Sequence, residues 1–146
     1  MCSSLKQFAT SLIGAFAITV GLSPIAIAHG SKEEKVTPVL KQAVPELPGK
    51  NVLMATVELE PGQASLPHLH PGSLFAYVLE GDVVSQLDGE PAITYHAGQA
   101  WYEAPRVHHL VTRNPSSTHR AVLMVWALSG EGDPIKRPLP ESPEAH

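Results

Sequence analysis

From residue 51 onward, apolar positions fall at every second place or in short unbroken runs, and nowhere at the three-and-four spacing of a helix. Asn51 to Glu60 alternates, with Val52, Met54 and Thr56 on one side of an extended chain and Leu53, Ala55, Val57 and Leu59 on the other. Pro61-Gly62 ends it. Leu74 to Leu79 is almost continuously apolar and predicts a buried strand. Glu80-Gly81 turns the chain into Asp82 to Leu87, and the hairpin signal Asp88-Gly89 leads to Ala92 to Tyr95. Ala97-Gly98 precedes Gln99 to Glu103, and the polar stretch Asn114-Pro115-Ser116-Ser117 separates His109 to Thr112 from a last strand, Arg120 to Leu128. Short strands at intervals of about ten residues, with turn residues between them, predict an all-β domain: a single small antiparallel barrel or sandwich.

The flanks read differently. Residues 1–28 carry an early positive charge at Lys6, an apolar run from Leu12 to Val20 and the small-residue sequence Ala26-Ile27-Ala28, the pattern of a secretory signal. The apolar run is short for a membrane anchor and is interrupted by Gly14, Gly21 and Pro24. An exported protein, periplasmic or secreted after cleavage near Ala28, is the expectation. Cleavage would leave His29 at the new terminus and remove Cys2, the only cysteine, so no disulfide could contribute to stability. Residues 29–50 form a polar arm spaced by Pro38, Pro45 and Pro48, in which Val36 to Leu40 suits a short edge strand. That arm could lie on its own barrel or on a second copy, so a homodimer is one expectation. Residues 130–146 form a Pro-rich tail beyond a domain spanning 51–129, within which Ile135 to Leu139 could lie along the barrel.

The length of 146 residues and 43% apolar content suit one core. The formal charge of −4 becomes one unit more negative when Lys6 is lost. Nothing basic invites nucleic acid.

Eight histidines remain to be explained. His68 and His70, flanked by Pro67 and Pro71, lie on extended chain, so their rings point to one side. Two imidazoles on one face make half of a metal site. A second His-bearing segment, from Gly98 to Asn114, carries His108 and His109 between a turn and an apolar run. Only one of two adjacent strand residues can face inward. His96, His119 and His146 sit beside turns, in a loop or at the terminus, where solvent is the simpler environment.

These two segments resemble the paired motifs of the cupin superfamily, small β-barrels or jelly rolls. The first motif is G, five residues, H-x-H, three or four residues, E, six residues, G; Gly62, His68, His70 and Gly81 match it, while Leu74 or Phe75 occupies the Glu place. The second is G, five residues, P-x-G, two residues, H, three residues, N; Gly98 and His109 match, Ala104 and Arg106 replace Pro and Gly, and Asn114 is one place late. The resemblance implies that His68, His70 and His109 bind one divalent transition metal. Three neutral imidazoles suit iron, copper, zinc or nickel. Glu103, on a strand whose alternate residues face inward, is the expected fourth ligand or general base. Leu74, Val78, Gln86 and Trp101 or Tyr102 are expected to line a pocket for a small ligand or substrate. Two functions follow from the resemblance: a mononuclear dioxygenase, or a metal-dependent module that binds or senses a small molecule.

Overall fold

Ten strands and no helix make up residues 33–139, which the computed structural model describes. The expected signal segment, Cys2, His29 and the tail from residue 140, including His146, lie outside the described residues. The strands are β1 Lys35–Ala43, β2 Lys50–Leu59, β3 His68–Leu69, β4 Ser73–Glu80 and β5 Asp82–Leu87, followed by β6 Ile93–His96, β7 Ala100–Glu103, β8 His108–Arg113, β9 Ala121–Gly130 and β10 Arg137–Pro138. They form two five-stranded sheets, ordered β1-β2-β9-β4-β7 and β10-β3-β8-β5-β6, with every neighbouring pair antiparallel.

Alternation places Ala55, Leu59, Leu74, Val78, Leu123 and Val125 between the sheets, in the apolar core. The run from Leu74 to Leu79, expected as a buried strand, is buried on one face only. Leu74, Ala76 and Val78 are buried, whereas Phe75, Tyr77 and Leu79 are exposed, because only one side of this sheet is covered. The outward positions line up across all five strands. Tyr102, Phe75, Trp126, Met54 and Leu40 stand opposite one another in a single apolar row.

Both flanks are built into the sheets. Strand β1 extends the predicted Val36 to Leu40 segment and pairs along β2 of the same chain. Strand β10 pairs with β3, setting Arg137 against Leu69 and Pro138 against His68, and Leu139 N–H donates to the Pro67 carbonyl. The tail therefore closes directly over the histidine strand.

Gly72 makes the bend between β3 and β4 fit. A Cβ at this position would lie 1.7 Å from the Leu128 carbonyl oxygen, so only glycine lets the chain run this close to β9. The bend sets the distance from His70 to the inward row that starts at Leu74.

Candidate metal centre

Strand β3 carries His68, and His70 follows it directly. Strand β8 brings His109 opposite His68 as a paired residue. All three are buried, and one potential ligand atom from each lies within 4.8 Å of the others. The ring centroids of His68 are 4.9 Å from His70 and 5.2 Å from His109. His108 faces outward, half-exposed, 3.8 Å from the Asp88 carboxylate. Its place is set by the alternation that turns His109 inward. His96 is likewise exposed and pairs with Asp82, and His119 contacts Thr118 in a loop.

Each ring is gripped from behind. His68 Nδ1–H donates to the Leu66 carbonyl at 2.7 Å, and His70 Nδ1–H donates to the Ile135 carbonyl at 2.6 Å. A carbonyl can only accept, so both rings are fixed in the tautomer whose Nε2 carries a lone pair. His109 has a different setting. Its Nδ1 lies 3.1 Å from Glu103 Oε1, and its Nε2 lies 2.8 Å from Ser85 Oγ and 2.9 Å from Thr112 Oγ1, both hydroxyls within hydrogen-bond distance.

Glu103 is 1% exposed, at the inward end of β7. Its Oε1 also accepts from the Trp101 indole N–H at 2.9 Å. Its Oε2 has no hydrogen-bond partner, and lies 3.5 Å from His70 Nε2. Burial raises the Glu103 carboxyl, but the His109 hydrogen bond, the neighbouring His109 and His70 rings and the Trp101 N–H outweigh it and hold the group below the ordinary carboxylate range. Burial pushes His68 down to about 4, and His70 is lowered chiefly for the same reason. The two rings are therefore neutral near pH 7, the form that ligates metals.

The donor set suits a borderline transition metal: neutral imidazoles, two of them oriented by outer carbonyls, and a buried carboxylate oxygen that lacks a partner. Ligation by His109 would exchange one of its present hydrogen bonds for the metal. The chamber around these groups has a volume of about 50 Å³ and is walled by apolar residues including Leu74, Ala76 and Val125. A single water needs roughly 10–15 Å³, so the space admits only a few water-sized groups. Glu34 and Lys136, joined as an ion pair, also line it.

The structure brings His68, His70, His109, Glu103, Leu74 and Trp101 to this chamber. Three expected pocket residues lie elsewhere. Val78 is packed wholly within the apolar core. Tyr102 projects from the opposite face of β7 to Trp101 and Glu103, is 48% exposed, and lines a separate cavity of about 170 Å³. Gln86 lies beside a bulge between β5 and β8, and its amide donates to the Glu90 carbonyl instead of reaching the chamber. Sequence reasoning missed Ser85, Thr112, Glu34, Lys136 and the two carbonyl grips. Strand alternation could have found Ser85, since it lies two places from Val83 on β5; the carbonyls carry no residue signal.

Asn114, one place late in the second motif, is buried but serves the fold. Its amide nitrogen donates to the carbonyls of Leu59, Glu60 and His119, and its Oδ1 accepts from Ser116 N–H. Arg106, in the motif's Gly place, adopts φ 65°, and its N–H donates to the His70 carbonyl at 2.8 Å.

Two antiparallel sheets closing over a histidine cluster on β3 and β8 define a small β-barrel protein with a metal-binding type of interior. Residues 55–127 match the family described as Cupin domain, and the chain belongs to that family. Among solved structures, TT1209 from Thermus thermophilus is similar at 32% identity, with a TM-score of 0.52, over 65% of this chain and 83% of that one. The DMSP lyase DddQ from Ruegeria pomeroyi DSS-3 shares the fold at 16% identity and a TM-score of 0.61, over 82% of this chain and 57% of the lyase. An oxalate oxidase in complex with the substrate analogue glycolate shares it at 22% identity and a TM-score of 0.52, over 68% of this chain and 52% of the oxidase. No protein of curated function matches the chain.

Proposed function

We propose that this cupin is an exported, mononuclear metal enzyme acting on a molecule of a few heavy atoms, with a dioxygenase as the leading reaction class. The observation that carries the reading is the convergence of three buried imidazoles and one buried carboxylate on a single small chamber. Iron, copper, zinc or nickel fits the donors. When bound, such an ion would supply Lewis acidity toward a substrate oxygen and, for the redox-active metals, a route for electrons. The protein's own part is to bind, orient and exclude. The neutral Nε2 atoms of His68 and His70 are held at fixed angles, Leu74 and its apolar neighbours keep water out, and Glu103 supplies negative charge beside the reacting group. The chamber volume of about 50 Å³ favours short carboxylic or hydroxy acids over ring compounds. The oxalate oxidase, a cupin-fold neighbour solved with glycolate, gives a precedent of that size.

Export rests on the pattern of residues 1–28, and it bears on the reaction. A compartment without an obvious reductant suits a dioxygenase, which places both oxygen atoms in its product. Pairing of two copies is part of the same reading. The apolar row from Tyr102 to Leu40 crosses the open face of the first sheet, and the ion pairs Lys35–Glu58 and Arg120–Glu80 lie toward one end of its strands, an apolar centre with a charged margin that suits a self-complementary interface.

A second reading, a non-catalytic module that binds a small ligand through its metal, draws on the small size of the chamber and on the Glu34–Lys136 pair beside it. Metal content of the purified mature protein, followed by oxygen uptake with short-chain acids, catechols, flavonols and diketones, separates the two. One bound ion with oxygen consumption supports the enzyme. One bound ion without turnover on any compound supports the binding module, and no bound ion removes both.

A further inference from the structure

The first motif's Glu place is held by Leu74, and Leu74 is paired directly across the sheet with Glu103. Directly opposed residues on antiparallel strands point to the same face, with Cβ atoms about 4.5–5.5 Å apart. A carboxylate moved from position 74 to position 103 therefore starts one strand away and still faces the same chamber. Both residues line it.

We propose that Glu103 is a fourth protein ligand of the metal, a carboxylate transferred across one rung of the sheet from β4 to β7. This rests on the metal-binding reading above and names the donor that completes it. The lone pairs point the same way. The Leu66 and Ile135 carbonyls hold the protons of His68 and His70 on Nδ1, so each ring turns an acceptor, Nε2, toward the chamber. Glu103 Oε1 is occupied by the Trp101 indole and the His109 ring. Oε2 is buried, has no donor, and faces His70 Nε2 at 3.5 Å. Two acceptors face each other in a dry site with no proton between them, an arrangement that is unfavourable until a cation joins them. The separation also fits. Nitrogen and oxygen donors at about 2.1 Å from one shared ion are roughly 3.0–3.4 Å apart at ligand angles of about 90–110°, so the fit does not require a closed four-coordinate shell.

The alternatives are a carboxylate that only orients His109, and one that only accepts a substrate proton. Metal affinity by chelator competition, together with the visible spectrum of the cobalt-substituted protein, distinguishes them. The variants are Glu103→Gln and the double swap Leu74→Glu/Glu103→Leu, with thermal melts of the apoproteins as a check on folding. Glu103→Gln keeps the size of the side chain and an oxygen for Trp101. We expect it to weaken binding by about a hundredfold or more, beyond the ~10–100-fold typical of outer-shell partners, and to shift the cobalt bands. The double swap returns the carboxylate to the motif's own place and should recover affinity to within about tenfold of wild type.

Wild-type protein that binds no cobalt or zinc would overturn the metal reading, and this assignment with it. Wild-type binding with Glu103→Gln within about threefold of it and an unchanged spectrum would overturn this assignment alone. Weakened binding with an unchanged cobalt spectrum would make Glu103 a positioning residue for His109 and would also overturn it. If the double swap fails to fold, the spectrum and affinity of Glu103→Gln still decide.

Discussion

The two segments that meet at the candidate metal centre hold their histidines by opposite means. His68 and His70 are gripped by main chain: the Leu66 and Ile135 carbonyls fix both rings, whatever side chains those residues carry. His109 is gripped by side chains, namely Ser85, Thr112 and Glu103. A main-chain grip depends on where the backbone runs, and so on the fold. A side-chain grip depends on residue identity, and can move from one strand to its neighbour when the sheet sets both on one face. The first half of the site keeps its histidine motif in register; the second keeps its geometry with altered residues.

Removing a ring should therefore have unequal effects. His109→Ala leaves the buried Glu103 carboxylate without its closest ring partner and opens a ring-sized cavity, which together cost about 3–5 kcal/mol. Denaturant titration of the apoprotein should show a loss of that order. His68→Ala strips only a ring backed by a carbonyl close to its own strand, and should cost less than half as much, although each variant removes one of the three candidate ligands. Equal losses would remove the distinction between the two grips.

Acid should act mainly on the main-chain half. His68 falls from 6.5 to about 4 in the folded protein, so the unfolded chain binds a proton more readily than the native one between those values. The stabilising contribution is complete above pH 6.5 and is lost as pH falls toward 4. At ~1.4 kcal/mol per pH unit, the apoprotein should lose about 3 kcal/mol across that window. His68→Ala should flatten the decline, whereas Ser85→Ala should leave its slope unchanged. A slope that survives His68→Ala would place the titration elsewhere.

The tail offers a gentler way to separate the halves. A chain ending at Gly132 lacks the Ile135 carbonyl and the Leu139-to-Pro67 bond while keeping the first sheet and the grip on His109 intact. Losing an outer partner of a ligating His lowers metal affinity by about 10–100-fold, and isothermal titration with zinc should register a change of that size. Unchanged affinity would show that the Ile135 carbonyl does not set the His70 ring.

Much of this architecture is legible in the chain because period-2 alternation and turn residues speak directly of strands. Val52 to Leu59 marks both faces of β2, and Gly62, His68, His70 and Gly81 mark the site's first half. Leu74 to Leu79 misleads, since apolar content alone does not reveal that Phe75, Tyr77 and Leu79 face outward. Tyr102 and Trp101 are alternatives until the strand's register is known. Gln86 is lost to a bulge that one sequence cannot display. The tail's contact with His70 is a bond to main chain between residues 65 positions apart, and a carbonyl has no letter in the sequence.

The smallest expected effect lies where the two halves touch. Arg106 occupies the motif's Gly place yet keeps the left-handed backbone that glycine would adopt, φ 65°, and its N–H bonds to the His70 carbonyl. The turn thus takes a left-handed shape that glycine would make easy, with arginine in the place. For a side chain with a Cβ that conformation costs about 1–2 kcal/mol, while glycine adds roughly 0.4–1 kcal/mol of freedom to the unfolded chain. Arg106→Gly should therefore raise stability by about 0.5–1 kcal/mol, a few degrees in the melting temperature, with metal affinity unchanged because the N–H that holds His70 remains. A lower melting temperature would mean that the Arg106 side chain contributes a contact worth more than the strain, and that the altered second motif is compensated at its own turn.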